Sequence, residues 1–357
     1  MNSKNFTLAT IISVLALLGG RCASAQTPEW SKASSDAIAA SQRGEYALAQ
    51  ILYKQAIEIQ QETLGADSPD VAVSLNNLAV FYQDQSMYPQ AEQAYRQSLA
   101  ILEKDPSQTA SIAHELINLA ALYHDAGQDD KAAPLYKRSL GILEKLGKDE
   151  ASSEAVALIG LANSYHSRNQ DETAAPLYVK ALTIWKEQGN QDTLEAADAL
   201  FHLGEIFRAS SKNADAETMY AGALKIWVNN GRAESTEAVT TEAILGNIYR
   251  AEGKYAEGEP LLEHSLKVTE QKLGPNDLQV ATSLNNLALL YYCESKYDAA
   301  EPLYKRALEI REKNLGADDS SVRQTMRYYA SLLRQEGHKE EARKLEVQAT
   351  GLGLDKF

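Results

Sequence analysis

An apolar anchor returns along the chain at nearly constant spacing: Leu78, Leu119, Leu161, Leu203, Leu245, Leu287 and Tyr329. The first step is 41 residues and the following five are 42, and Leu75-Asn76-Asn77-Leu78-Ala79 comes back unchanged as Leu284-Asn285-Asn286-Leu287-Ala288. A period of this length marks a repeat architecture, in which each unit is too small to bury its apolar face alone and does so against its neighbours.

The columns around the anchor give the unit its structure. The residue after it is always small (Ala79, Ala120, Ala162, Gly204, Gly246, Ala288, Ala330), and four residues past it stands a ring or a large apolar group (Tyr82, Tyr123, Tyr165, Phe207, Tyr249, Tyr291, Leu333). Positions i, i+1 and i+4 share a helix face, so small side chains there allow close approach of a second helix. That second helix is opened by Ala49, Ala91, Ala132, Ala174, Ala216, Gly258, Ala300 and Ala342, then carries Tyr53, Tyr95, Tyr136, Tyr178, Tyr220, Leu262 and Tyr304 four residues on. Ile57, Leu99, Leu140, Leu182, Leu224, Leu266 and Leu308 complete its apolar stripe at helical spacing.

Punctuation agrees with helix, turn, helix, turn. Gly44, Gly127, Gly253 and Gly337 fall between the two helices of a pair, and Gly65, Gly147, Gly189, Gly231, Gly274 and Gly316 follow the second helix, where left-handed caps are expected. Pro134, Pro176, Pro260 and Pro302 are read as lying near the start of second helices, where a missing amide costs least.

The order anchor, small, ring, turn, Ala, Tyr, Ala or Ser, Leu resembles the tetratricopeptide repeat. The 42-residue period and the run Ala-Glu-Pro-Leu-Tyr-Lys-Arg-Ala-Leu-Glu-Ile-Arg-Glu-Lys-Asn-Leu-Gly at 300–316 are most similar to its kinesin-light-chain type. The resemblance covers about residues 30–349 and implies an all-α solenoid of about eight antiparallel helix pairs wound as a right-handed superhelix. The expected repeats are about 30–65, 69–104, 108–147, 150–189, 192–231, 235–274, 277–316 and 319–349, within one array over 26–349 and followed by a flexible tail at 350–357. Asp36 at the first anchor position and Glu346 at the last ring position suit polar end caps.

Residues 1–25 have the form of an export signal. Lys4 gives the positive start, Phe6–Leu18 a 13-residue apolar run, and Ala23-Ser24-Ala25 a small-x-small cleavage site before Gln26. The run is shorter than the ~20 apolar residues needed to span a bilayer, so no membrane insertion is expected after cleavage. The expectation is a bacterial protein, periplasmic or secreted. Cleavage would remove Cys22 and leave Cys293 as the single thiol, excluding an intramolecular disulfide.

Of 35 Lys and Arg, Lys4 and Arg21 lie in that segment, leaving 33 bases against 49 acids, a net charge of −16 over 26–357. Such a chain repels a phosphate backbone, so nucleic acid is excluded as a partner. His114-Glu115 begins like a helical zinc motif, but Asn118 stands where the second His is required. Phosphate-loop, nucleophile-elbow and CxxC motifs are absent from the sequence. No catalytic residues, cofactor or metal are assigned, and the chain is read as non-enzymatic.

In tetratricopeptide superhelices the first helix of each pair lines the concave side, which the resemblance makes the expected site for a protein or peptide partner. Counted from the anchor, position −2 supplies Asn76, Asn285 and Arg327. Position +2 supplies Asn163, Glu205 and Asn247, and position +5 supplies His124, His166, Arg208, Arg250 and Arg334. One reading has the Asn amides hold an extended backbone while the Arg column holds carboxylates of an acidic partner. The other has the +5 cations complement helix dipoles, worth about 0.3–1 kcal/mol each. A structural or homo-oligomeric subunit of an envelope assembly is the alternative function.

Overall fold

The computed structural model describes residues 28–350; the proposed signal segment 1–25 and most of the tail at 350–357 lie outside them. Among the described residues there are sixteen α-helices and no strand. The chain divides into two compact units, one ending at Gln191 and the other starting at Asp192. In the first unit the helices are α1 (Glu29–Gln42), α2 (Tyr46–Leu64), α3 (Pro69–Asp84), α4 (Tyr88–Leu102), α5 (Thr109–Asp125), α6 (Asp129–Leu146), α7 (Ala151–His166) and α8 (Asp171–Glu187). In the second they are α9 (Leu194–Ala209), α10 (Asn213–Asn229), α11 (Thr236–Ala251), α12 (Tyr255–Leu273), α13 (Leu278–Cys293), α14 (Tyr297–Leu315), α15 (Ser320–Gln335) and α16 (Lys339–Ala349). Within each unit consecutive helices form antiparallel pairs.

The anchor and small columns are the core, and the ring column is buried at Tyr82, Tyr123 and Leu333 and half-buried at Tyr165, Phe207, Tyr249 and Tyr291. Leu78, Leu119, Leu161, Leu203, Leu245 and Leu287 are buried, and the Ala residues after the anchors are all at most 1% exposed. Where Gly takes the small position the reason is contact: a Cβ on Gly204 would stand 2.8 Å from the Tyr220 ring, and one on Gly246 would stand 2.5 Å from Leu262 Cγ. Second helices begin about three residues before the column of small residues that was read as opening them.

Turns within a pair all use one device. Gly44, Ser86, Gly127, Asn169, Ser211, Gly253, Ser295 and Gly337 have φ between +56° and +88°, and these eight positions repeat at the chain's period. After such a residue the next amide bonds back to the ring position, as in Met87 N–H to Tyr82 O at 2.8 Å and Lys296 N–H to Tyr291 O at 2.8 Å. This is the Schellman closure, and half of its left-handed positions carry a residue with a Cβ.

Three local expectations are corrected. Gly65, Gly147, Gly274 and Gly316 have φ of +80° to +93° but ψ near ±150°, a glycine-only extended conformation and not the left-handed helical one. Pro134, Pro176, Pro260 and Pro302 lie inside their helices, six residues in, where each forgoes an intrahelical amide bond. The first pair is not a wholly polar cap: Tyr46, Leu48 and Ile51 of α2 are 48%, 44% and 62% exposed.

Five of the eight first helices also carry their own start signals. Ser68, Thr193, Ser235, Asp277 and Asp319 accept from a backbone amide of the first turn, whereas second helices begin without a side-chain cap.

Candidate binding surface

The side chains beside the core stripe of the first helices are organised by tyrosines of the second helices. A tyrosine ring buried in a core still requires a partner for its hydroxyl. Tyr95 Oη donates to Gln83 Oε1 at 2.9 Å, Tyr178 Oη donates to Asn163 Oδ1, and Tyr220 Oη donates to Glu205 Oε1. Positions +2 and +5 therefore serve as acceptors for the next helix as well as forming surface.

In the first unit the predicted residues are drawn into short polar chains. Asn76 is buried and accepts from Asn118 Nδ2 at 2.9 Å, so its carbonyl is engaged between repeats. His124 Nδ1 lies 2.6 Å from Asp129 Oδ1, and His166 Nδ1 lies 2.7 Å from Asp171 Oδ1, each pairing the end of a first helix with the start of its second. Ser167 Oγ donates to Asp129 Oδ2 at 2.6 Å from the next pair. Gln83 Nε2 donates to Asp125 Oδ2 at 2.6 Å, and burial pushes the Asp125 carboxyl up to about 6 despite that bond. Gln83 and Asp125 were not among the residues assigned from sequence.

The second unit holds the arginines, and the structure treats them unequally. Arg208 donates to Glu205 through Nη2 at 2.8 Å and Nε at 3.3 Å, so Glu205 receives both Arg208 and the Tyr220 hydroxyl. Burial raises the Glu205 pKa, but these bonds more than offset it and the net shift is downward. Arg334 forms a two-pronged pair with Glu346 at 2.7 and 2.6 Å. Asn247 Nδ2 donates to Ala243 O of its own helix at 2.8 Å. Arg250, in contrast, meets no carboxylate: Nη1 lies 3.9 Å from Cys293 Sγ and the buried Nε has no acceptor. Asn285 is buried with Oδ1 unpartnered, and Arg327 is exposed. Arg208, Arg250 and Arg334 all lie in the last turns of their helices, where the dipole also favours them.

Sequence reasoning missed Tyr304. It is 0% exposed, and its hydroxyl has no hydrogen-bond partner. The signal was present: +2 and +5 of its own pair are Leu289 and Tyr292, so the acceptor that Gln83, Asn163 or Glu205 supplies elsewhere is missing.

His114 Nε2 lies 2.9 Å from both Glu150 Oε2 and Ser153 Oγ. A nucleophile–base–carboxylate relay needs contacts on opposite ring nitrogens, so this cluster is a polar link between repeats. No group of three or more His, Cys, Asp or Glu among the described residues is arranged to hold a metal ion, and no described helix is long and apolar enough to cross a membrane.

A column of helix pairs with this packing defines a repeat scaffold, and the family comparison names it. Residues 37–104, 108–187, 153–227, 236–313 and 293–352 match the tetratricopeptide repeat, and the chain belongs to that family. No curated protein matches the sequence. Among solved structures it is similar to the tetratricopeptide-sensor STAND ATPase PH0952 of Pyrococcus horikoshii, with a TM-score of 0.57 and 13% identity over 85% of this chain and 44% of that one. It is also similar to apo RapI, at 0.52 and 14% over 79% and 97%, and to BtubC (BKLC) of P. vanneervenii, at 0.51 and 23% over 64% and 89%. At these identities the likeness concerns the fold. Members of the tetratricopeptide repeat family are typically protein-interaction scaffolds.

Proposed function

We propose that this chain is an exported bacterial scaffold of the kinesin-light-chain-like, 42-residue type, binding a protein or peptide across the concave side of its first helices. The observation that supports this reading most directly is the set of polar side chains beside the core stripe on the first helices of each unit. Asn163 and His166 in the first unit, and Glu205, Asn247, Arg250 and Arg327 in the second, have parts of their surface open to solvent. Asn76 and Asn285, being buried, would order that surface from beneath. Arg208 and Arg334 would contact a ligand only by sharing or leaving Glu205 and Glu346.

Titration of the chain from Gln26 onward with peptides, by anisotropy at rising salt, tests the reading. Acidic partners should bind more weakly as salt rises, since exposed pairs are screened over about 8 Å at physiological ionic strength. The double variant Arg208→Gln, Arg250→Gln separates binding from helix-dipole complementarity, because a loss confined to stability would exclude the binding role. Intact mass of protein from the envelope fraction tests cleavage before Gln26.

A second reading, a self-associating subunit of an envelope assembly, draws support from the exposed Tyr46, Leu48 and Ile51 of α2. It requires a molecular mass that grows with concentration, and that Ile51→Glu abolishes the growth.

A further inference from the structure

Side chains of the second helices reach across to the next pair at two positions. The residue after the tyrosine column covers the next pair's ring position: Arg96 Nη2 donates to Tyr123 Oη at 2.7 Å, Lys137 Nζ stands 5.5 Å from the centre of the Tyr165 ring, and Tyr291 Oη donates to Glu263 Oε1 at 3.0 Å. Seven residues further on, Glu103 pairs with Arg138, Glu144 with Lys180 and Glu270 with Arg306, each on the following second helix. Helix α10 has neither link, because Ala221 and Val228 occupy these positions. His264, at the place of Arg138 and Arg306, instead pairs with Glu242 of α11 at 2.8 Å. Between α10 and α12 a cleft of about 410 Å³ is left open. Leu245 and Tyr249 of α11 form its floor, with Ala221, Leu224 and Val228 on one side and Leu261 on the other. The stripe 221–228 makes it about 10 Å long at the helical rise, and Lys225 and Glu257 stand at its edge, both exposed.

The first unit carries a ridge of matching character. Leu48 and Ile51 of α2 are exposed, and they stand where other second helices have Gln90 and Gln93, Lys131 and Pro134, or Asp215 and Thr218. They lie about 4.5 Å apart along the helix, short enough to enter the cleft together. Residues 46–53 hold no charge, in a chain whose net charge is −14. Copies of such a chain repel one another, so they can meet closely only through uncharged faces. Lys54 and Glu58 follow the ridge as Lys225 and Glu257 edge the cleft, giving each face one charge of either sign.

We propose that the α2 ridge of one copy docks in the α10–α12 cleft of a second copy, with Leu48 and Ile51 filling the space that Ala221 and Val228 leave over Tyr249. The contact rests on the self-association reading and narrows it to one ridge and one cleft. Because the two faces differ, the contact is heterologous, and each one leaves a ridge free on one copy and a cleft free on the other.

Sedimentation equilibrium of the chain from Gln26 onward, over a range of concentrations, is the test. Wild type should grow in mass with concentration. Ile51→Glu on the ridge, and Ala221→Arg or Val228→Glu in the cleft, should each raise the self-dissociation constant about tenfold or more, as expected when a buried apolar contact is lost. Ala221→Arg and Val228→Glu restore the residue types of Arg96 and Glu103, and all three altered side chains are exposed, so melting temperatures should stay at the wild-type value. An equimolar mixture of Ile51→Glu and Ala221→Arg should form a one-to-one complex and nothing larger, since together the two variants hold one intact ridge and one intact cleft. If wild type associates and Ile51→Glu prevents it while both cleft variants associate normally, or if the mixture forms no complex, the ridge-and-cleft contact is overturned and the self-association reading stands. If wild type keeps the mass of one copy at every concentration, both are overturned.

Discussion

Gly160 in α7 offers the sharpest test of how the helix pairs pack. In an isolated helix, Gly→Ala gains about 0.8–1.0 kcal/mol, so propensity alone predicts that Gly160→Ala stabilises the protein. Packing predicts the opposite. A Cβ on Gly160 would stand 2.5 Å from Tyr136 Oη and closer still to Cζ and Cε1 of that ring. Tyr136 is 3% exposed, so the ring has little room to withdraw. Reaching ordinary contact requires a shift of about an ångström, and overpacking of this kind costs about 1–3 kcal/mol, here toward the upper end. Subtracting the propensity gain leaves a net loss of about 2 kcal/mol. For a unit of this size that lowers the melting temperature by about 4–8 °C, measurable by circular dichroism. In a Tyr136→Leu background the ring tip is gone, and Gly160→Ala should then stabilise by about 1 kcal/mol. An unchanged or raised melting temperature in the wild-type background, or a loss that persists after Tyr136→Leu, would refute the packing account.

Ser211 and Ser295 hold φ of +59° and +65°, a conformation that costs a residue with a Cβ about 1–2 kcal/mol. Either Ser→Gly change should therefore raise stability by about 0.5–1 kcal/mol in urea unfolding after the unfolded-chain entropy is deducted. Arg311 is buried and bonds only to neutral acceptors, Thr325 Oγ1, Ser321 O and Thr282 Oγ1, and burial lowers its pKa. Leu143, Trp185 and Trp227 fill its position in other pairs, so Arg311→Leu should leave stability unchanged or raise it by about 1 kcal/mol, whereas a loss above that size would show that the guanidinium is needed. Burial pushes the Glu115 carboxyl up to about 8 from its ordinary 4.5, with Ser98 offsetting only part. The fold keeps this proton where the unfolded chain has lost it, so stability should fall as pH rises from about 5 to 8, and Glu115→Gln should flatten that slope in pH-dependent unfolding.

Much of the fold was legible because it rests on periodic, short-range rules. Leu78 through Tyr329, the small column and the ring column repeat at the chain's own spacing, and helix faces follow from spacing alone. The turn device was only half legible, because Gly44 and Gly253 announce a positive φ while Ser86 and Ser295 adopt it without any residue that demands it. The binding surface was legible as positions and not as states. Arg208, Arg250 and Arg334 form one column in sequence, yet Arg208 is held by a glutamate three residues earlier and Arg334 by one on the following helix, while Arg250 has none. Asn76 and Asn163 look alike by residue type, yet one is buried against Asn118 of the next pair and the other accepts from Tyr178. Local periodicity decides which residues form a helix and which face they share. Which polar group finds a partner depends on side chains brought from other helices, up to about 42 residues away in the chain, and only tertiary packing sets those meetings.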